Sequence, residues 1–222
     1  ATLPHIHDFF EMIYVYRGSI TNQVNQENIY LKEGDICLLN PHTVHQLLDF
    51  KEESIIINLL ITKDLLEEDA ILFNNKNFLH NFLIDCLFFD SRKIPFLYFP
   101  AQKNQMTAAP RMLQNMIYEY FDKKMYFQQA MEYYFSLLCI ELSRAGVEDI
   151  GLPYDIEFSK TAPILQYIRN HLSTATVEST AEAFHYNPTY LHQLLKKTTR
   201  KNFRHIQLYF RIKAAQKLLR DT

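Results

Sequence analysis

Cysteine is scarce in this sequence, and so are the other features that mark secreted or membrane proteins. Only three cysteines occur in 222 residues; they lie far apart, and no CxxC or Cys/His zinc spacing is present. This argues against a disulfide framework and predicts a reduced, cytoplasmic protein with buried thiols. No apolar run reaches the roughly 18 residues of a membrane helix, and no signal peptide precedes the first strand. We therefore expect no membrane partner.

Glycine is also rare, and its four positions divide the chain. Gly18 and Gly34 fall in the first third, whereas Gly146 and Gly151 lie five residues apart in a segment that also carries a proline and three acids. This segment predicts a linker over residues 147–160. Apolar residues make up 48% of the sequence and include many Phe and Tyr. This is enough for a hydrophobic core on either side of the linker, and it argues against disorder.

The net charge of −2 conceals an uneven distribution. From Lys160 to Thr222 there are 11 Lys and Arg against 3 Asp and Glu, whereas the rest of the chain has 12 against 22. An acidic body joined to a strongly basic tail is typical of a nucleic-acid binder. The alternative is a solvated basic face without a partner.

The sequence patterns predict strands first and helices later. Short segments rich in β-branched and aromatic residues, separated by turns, predict a β-barrel or sandwich; they cover residues 9–16, 29–31, 36–39 and 54–60. Pro110 and the apolar spacing up to Ala145 predict two helices, the second ending at Gly146. This pair is either a dimer interface or a cover over the barrel.

A first group of polar residues lies around the first strand. In a strand, His5, His7, Phe9 and Glu11 share one face, and His45 follows the turn at Gly34. Three imidazoles and one carboxylate are credible ligands for Fe, Mn, Ni or Zn. The alternatives are a metal-free pocket lined by these side chains, or structural hydrogen bonding.

These segments resemble the two motifs of cupins, which are six- to eight-stranded barrels with a central pocket. The spacing HxHxxxExxxxxxG from His5 to Gly18 fits the first motif. The second departs from its pattern, because Thr43 replaces a glycine and the histidine spacing is one residue shorter. That form is common in the sensor barrels of AraC-type regulators. The resemblance implies a pocket for a sugar or another small organic effector, often without metal, and we expect no cofactor. No base or nucleophile of recognisable spacing accompanies it, so an enzyme is not expected.

The basic tail carries a second pattern. Thr161-Ala-Pro163 predicts the start of a helix, and Thr176 caps a short helix ending at Phe184. After a turn at His185-Tyr186, Asn187-Pro188 predicts the start of another helix. Two short helices joined by a tight turn are the helix-turn-helix arrangement, whose second helix enters the major groove.

From Ile164 onward the chain resembles the DNA-binding domain of the AraC/XylS family. The outward residues of the second helix are then expected to contact bases: Thr189, His192 and Gln193. Five basic residues are expected to contact phosphates: Lys196, Lys197, Arg200, Lys201 and Arg204. Three positions depart from the family pattern. Thr180 stands where an apolar residue is common, Leu195 replaces a phenylalanine, and Arg200 replaces a glycine, which predicts a strained or reshaped turn.

The sequence therefore predicts an α+β, multidomain transcription regulator. Its parts are a cupin-like sensor barrel (1–104), a helical dimerisation segment (105–146), a linker (147–160) and a DNA-binding domain (161–222). That domain contains one helix-turn-helix and the following helix. A second apolar stripe on this last helix, and the family pattern, predict a further helix-turn-helix beyond Thr222. We expect a homodimer that binds double-stranded DNA and a small effector, with RNA polymerase as a partner if it activates transcription. A metal-dependent cupin enzyme and a protein-interaction adaptor are the competing classes.

Overall fold

The computed structural model describes residues 1–49, 51, 53–68, 78–89, 94–104, 108–145 and 156–220. The chain divides into two compact units, Ala1–Leu152 and Pro153–Thr222. The first contains β-strands and helices, and the second contains helices in its described part, so the chain is α+β. Residues 147–155 of the predicted linker, Gly146 as the predicted end of the second helix, and the chain end at residues 221–222 lie outside the described residues.

Seven antiparallel strands in the described part of the first unit form two sheets. One has the order β6-β1-β4-β7 and the other β3-β2-β5. The strands are β1 (Phe10–Arg17), β2 (Ser19–Val24), β3 (Glu27–Lys32), β4 (Ile36–Leu39), β5 (His45–Leu48), β6 (Ile55–Ile61) and β7 (Phe96–Phe99). The predicted strands are present within one to two residues, but β2, β5 and β7 were not predicted.

The core of this unit lies between the two sheets. Alternation along each strand turns one set of apolar side chains inward, and both sheets contribute to one buried cluster. Its members are Ile13, Val15, Ile20, Val24, Leu31, Cys37, Leu39 and Phe96. All three cysteines are buried free thiols, as the sequence predicts.

Helices cover the outer face of the four-stranded sheet. They are α1 (Lys63–Glu68), α2 (Phe78–Phe89), α3 (Ala101–Asn104), α4 (Ala109–Asp122) and α5 (Phe127–Ala145). Met12 and Leu38 of the sheet share a small apolar cavity with Leu83, Phe135 and other helix residues. The backbone N–H before α4 donates to Glu141 near the end of α5 (2.9 Å), so the predicted helix pair is antiparallel. No described helix is both long and apolar enough to cross a membrane.

The second unit consists, in its described part, of α6 (Ile156–Asn170), α7 (Val177–Ala183), α8 (Pro188–Thr199) and α9 (Phe203–Arg220). The predicted start of α6 at Thr161 is wrong, since the helix begins at Ile156, inside the predicted linker, and holds Pro163 in its interior. Proline is normally unfavourable inside a helix because it lacks the backbone N–H that would donate a hydrogen bond. The apolar residues Ile164, Leu165 and Ile168 are nevertheless buried on one face of α6, and packing overrides the local signal.

The start of α7 and of α8 agrees with the sequence. Thr176 and Ser179 form a reciprocal capping box at the start of α7. Asn187 accepts a hydrogen bond from the Tyr190 N–H (2.7 Å), and Pro188 occupies the first turn of α8. Between the helices, His185 has a left-handed backbone (φ 56°), which makes the turn tight.

Candidate functional site

Four predicted side chains from the first unit meet at one end of the space between its sheets. Ligand atoms of His5, His7, Glu11 and His45 lie within 4.8 Å of one another. Glu11 and His45 are buried, His7 is half-buried and His5 is exposed, so the cluster lies at the mouth of this space. We call these four residues the histidine cluster.

The backbone assembles the histidine cluster differently from the prediction. β1 begins only at Phe10, so alternation along one strand does not align His5 and His7 with Glu11. His5 is instead joined to His45 by two backbone hydrogen bonds of 3.0 and 3.1 Å. A bend at Asp8-Phe9 then brings His7 back towards Glu11.

The Glu11 carboxylate is the centre of the histidine cluster. Its Oε2 atom lies 2.8 Å from His7 Nε2 and 3.0 Å from His45 Nε2. Its Oε1 atom accepts a 2.6 Å hydrogen bond from Asn58 Nδ2 on β6. One carboxylate thus connects the segment before β1, strand β5 and strand β6.

Each of the three histidine rings is also held by a hydrogen bond between its Nδ1 atom and a backbone carbonyl. Nδ1 lies 2.9 Å from the Leu3 carbonyl in His5, 2.9 Å from the Phe9 carbonyl in His7 and 3.0 Å from the Thr43 carbonyl in His45. A carbonyl only accepts hydrogen bonds, so each Nδ1 carries a proton. In addition, the predicted pocket residue Phe9 stacks on the His7 ring with a centroid distance of 4.0 Å and an angle of 5°.

Burial and pairing have opposite effects on the ionisation of Glu11 and His45. Burial opposes charge on Glu11, but hydrogen bonds from His45 and His7 hold the pKa of Glu11 below its ordinary value. Burial would also lower the pKa of His45, but the hydrogen bond to Glu11 raises the pKa of His45 above its ordinary value. The pair is therefore stabilised as carboxylate and imidazolium.

Asn58 is a site residue that the sequence analysis missed. It is separated from Glu11 by 47 positions, and only the pairing of β6 with β1 brings the two strands together. The sequence does contain one indication of this role, because Asn58 is the single polar residue in the strand sequence IIINLLI. A polar residue in such a run needs a partner wherever its side chain turns inward.

A large cavity lies along β6 on the side of the helix pair. Its volume is about 620 Å³. It is lined by β6 from Ile56 to Ile61, including Asn58, and by α4 and α5 residues such as Met116 and Phe135. The two helices also carry exposed aromatic side chains, among them Tyr120, Phe121 and Tyr133. Strand β6 thus contacts the histidine cluster through Asn58 and also forms one wall of this cavity.

The second unit presents the predicted DNA-contact residues on its surface. Leu191, Leu194 and Leu195 are buried and fix α8 against the unit, which leaves the opposite face of the helix exposed. Exposed residues on or after α8 include the following: Thr189, His192, Gln193, Lys196, Lys197, Arg200, Lys201 and Arg204. In addition, Lys201 Nζ lies 5.4 Å from the centre of the Tyr209 ring.

Arg200 lies in the turn that the sequence predicts to be strained or reshaped. It ends α8 with φ 55° and ψ 9°, and its N–H donates to the Lys196 carbonyl. This left-handed conformation favours glycine and costs other residues free energy. The strained turn expected at Arg200 is therefore present.

Residues 1–47 match the family described as the AraC-like ligand binding domain, which confirms the predicted resemblance for this segment. No curated protein sequence matches the chain. Similar solved structures include ToxT from Vibrio cholerae strain SCE256 with bound unsaturated fatty acid, at 14% identity and a TM-score of 0.37 over 98% of this chain and 75% of that one. ToxT from Vibrio cholerae O395 has 13% identity and a TM-score of 0.36, over 96% and 74%. The AraC-like transcriptional activator CuxR has 10% identity and a TM-score of 0.38, over 94% and 68%.

Proposed function

Residues 1–47 carry an AraC-like ligand-binding segment, and from this premise we propose that the chain is a DNA-binding transcription regulator controlled by a small molecule. The observation that carries the proposal is α8 with its buried leucines and its exposed polar and basic face. A helix held in this way, preceded by a short capped helix and a tight turn, suits insertion into the major groove. The excess of positive charge in the same unit supplies attraction to phosphates.

We assign different roles to the two groups of exposed residues. Thr189, His192 and Gln193 on α8 read base edges, with Gln193 suited to a bidentate contact with adenine. The basic residues at the end of α8 and beyond contact phosphates and set the position of the helix without reading sequence. They are Lys196, Lys197, Arg200, Lys201 and Arg204.

The histidine cluster is the proposed effector site. It offers imidazole and carboxylate groups together with the stacked ring of Phe9, and it lies at an open end of the space between the sheets. A sugar or another small polar ligand bound there competes with Asn58 for Glu11. Because Asn58 belongs to β6, such competition shifts β6 in the wall of the cavity that it shares with α4 and α5.

The helix pair is the proposed link to dimerisation. Its buried side covers the sheet, whereas its exposed aromatic side chains, such as Tyr120, Phe121 and Tyr133, offer a surface to a second copy. A change in β6 would alter this surface and with it the spacing of two DNA-binding units. The affinity for paired half-sites would then depend on the effector.

DNA selection and salt titration test the proposal. The chain is first used to select sites from a randomised duplex library, and binding to the selected and to scrambled duplexes is measured by fluorescence anisotropy. Gln193→Ala should lose about 1–3 kcal/mol of preference for the selected site. Lys201→Ala should weaken binding to both duplexes and reduce the salt slope by about 0.9.

Lys160→Ala is the matched control, since it removes an exposed lysine of α6 that is not one of the proposed contact residues. It should leave the preference unchanged and alter the slope less than Lys201→Ala. Absence of any salt-dependent binding to duplex DNA, or equal effects of the three variants, would refute the proposed role of α8.

A further inference from the structure

We propose that the cavity between β6 and the helices α4 and α5 is a second ligand site, which binds an uncharged and largely apolar small molecule. Its volume is about 620 Å³. Ligand pockets typically measure about 300–1,000 Å³, whereas protein cores contain few voids larger than a water molecule. The described residues that line the cavity include neither a histidine of the cluster nor a proposed DNA-contact residue. The inference therefore stands apart from the proposed function.

The incomplete burial of β6 supports a binding site along this strand. The neighbouring strand β1 is buried from Phe10 to Val15. Within β6, in contrast, only Ile61 is fully buried, and Leu60 is 62% exposed. Aliphatic side chains that remain accessible to water favour an apolar molecule that displaces this water.

The opposite wall of the cavity comes from α4 and α5. Leu113, Met116 and Phe135 are buried and form its inner part. Tyr120 and Phe121 are exposed, which places them at its rim. The flexible side chain of methionine adapts to apolar partners of different shape, and aromatic rings add a large contact area. The cavity is thus apolar on both walls and deeper than a flat surface patch.

The charge of the lining residues selects against ions. Glu132 is the single charged residue among the described residues that line the cavity, and it is exposed. An anionic ligand would be desolvated without a cationic partner and repelled by Glu132. A cation would gain little, because a pair with an exposed carboxylate is weak in water. An uncharged molecule is the class of ligand that this lining favours.

Asn58 provides a polar contact in the otherwise aliphatic wall of β6. Its amide has two donor hydrogens and an acceptor oxygen, and the hydrogen bond to Glu11 uses one of the hydrogens. Asn58 is exposed in the strand, so the rest of the amide can bind a hydroxyl or carbonyl group of a ligand. Because the same amide holds Glu11, Asn58 connects this cavity with the histidine cluster.

Two fluorescent dyes that differ by one charge test the inference on the purified full chain. Phenylnaphthylamine is uncharged, and anilinonaphthalene sulfonate has the same aromatic skeleton with one negative charge. We expect saturable binding of phenylnaphthylamine at one site per chain, with a blue-shifted emission. The sulfonate should bind at least about tenfold more weakly, because its charge lacks a cationic partner in the cavity.

Two variants change the cavity in different ways. Ile117→Trp places a larger side chain at a half-buried lining position and should weaken phenylnaphthylamine binding by at least about tenfold. Tyr118→Trp is the matched control, since it adds the same indole at the next residue, which is exposed and does not line the cavity. Glu132→Lys should leave phenylnaphthylamine binding unchanged and strengthen sulfonate binding by roughly fivefold.

The combined results decide the inference. Tight phenylnaphthylamine binding by the wild type and Tyr118→Trp, and its loss in an Ile117→Trp variant of normal Tm, would support the site. No phenylnaphthylamine binding, or equal binding by Ile117→Trp, would overturn it. If Ile117→Trp does not fold, Glu132→Lys decides, and an unchanged affinity for the sulfonate would count against the site. A second copy of the chain is the alternative occupant, and dye binding that weakens as the chain concentration rises would replace the small molecule by that copy.

Discussion

Replacing Arg200 by glycine should increase stability and weaken DNA binding at the same time. Arg200 ends α8 in the left-handed conformation, with φ 55°. The left-handed conformation destabilises a non-glycine residue by roughly 1–2 kcal/mol. Glycine removes this cost, but part of the gain is lost because glycine has more conformational freedom in the unfolded chain. We therefore expect Arg200→Gly to raise the free energy of unfolding by about 1 kcal/mol. For a unit the size of Pro153–Thr222 this corresponds to an increase of about 4–8 °C in Tm.

The loss of the guanidinium should have the opposite effect on DNA binding. If Arg200 contacts one phosphate, its removal should reduce the slope of log affinity against log salt by about 0.9. Arg200→Ala is the matched control, because it also removes the charge but keeps the backbone cost. The alanine variant should show the weaker DNA binding without the gain in stability.

Thermal unfolding followed by far-ultraviolet circular dichroism, and fluorescence anisotropy at several salt concentrations, measure the two effects separately. A glycine variant no more stable than the alanine variant would refute the cost assigned to the turn. Unchanged salt slopes in both variants would refute the phosphate contact and leave the argument about the turn intact.

Three further changes test other parts of the structure. Thr180→Val should raise the free energy of unfolding by about 1–2 kcal/mol in urea titrations, because the buried Thr180 hydroxyl has no hydrogen-bond partner among the described residues; Thr180→Ser keeps the hydroxyl and should give no gain. Gly18→Ala should lower Tm, since Gly18 has φ 83° and a Cβ atom there would clash with Ser54; an unchanged Tm would contradict this. In metal-free buffer, the stability lost in Glu11→Gln should be greatest between about pH 4.5 and 6.5, the ordinary pKa values of Glu11 and His45. The difference in stability between the wild type and Glu11→Gln should shrink below this range, because Glu11 has a lowered pKa in the folded state and takes up its proton there only at lower pH than in the unfolded chain. It should also shrink above this range, because His45 has a raised pKa in the folded state and loses its proton there only at higher pH than in the unfolded chain. A difference that does not vary with pH would contradict the ionised pair.

Sequence alone predicted those features that depend on local chemistry. Asn187 and Pro188 fix the start of α8 because a side-chain acceptor and a preset φ act within one turn of the helix. A strained or reshaped turn at Arg200 was likewise predicted, because Arg200 stands where the family pattern carries glycine. In the first unit, the four members of the histidine cluster were named from the sequence, although the strand alternation invoked for His5 and His7 is not what brings them together.

The features that sequence missed depend on packing between distant segments. Asn58 reaches Glu11 only because β6 pairs with β1, a register that no local signal specifies. Pro163 lies inside α6 although proline usually begins a helix, since burial of Ile164 and Ile168 outweighs its missing N–H. The position of His5 depends in the same way on a bridge to His45, 40 positions further along the chain.

Strand β6 has a practical consequence for anyone who purifies this protein. Among the described residues it is an edge strand, and its sequence, IIINLLI, contains no charge and no proline, which are the features that normally discourage further strand addition. Short, uncharged segments of this kind are also those that stack into fibrils when exposed. Concentrated samples with a loosened helix pair would therefore be expected to form β-rich aggregates, and a lysine at the exposed Leu60 would be the first substitution to improve handling.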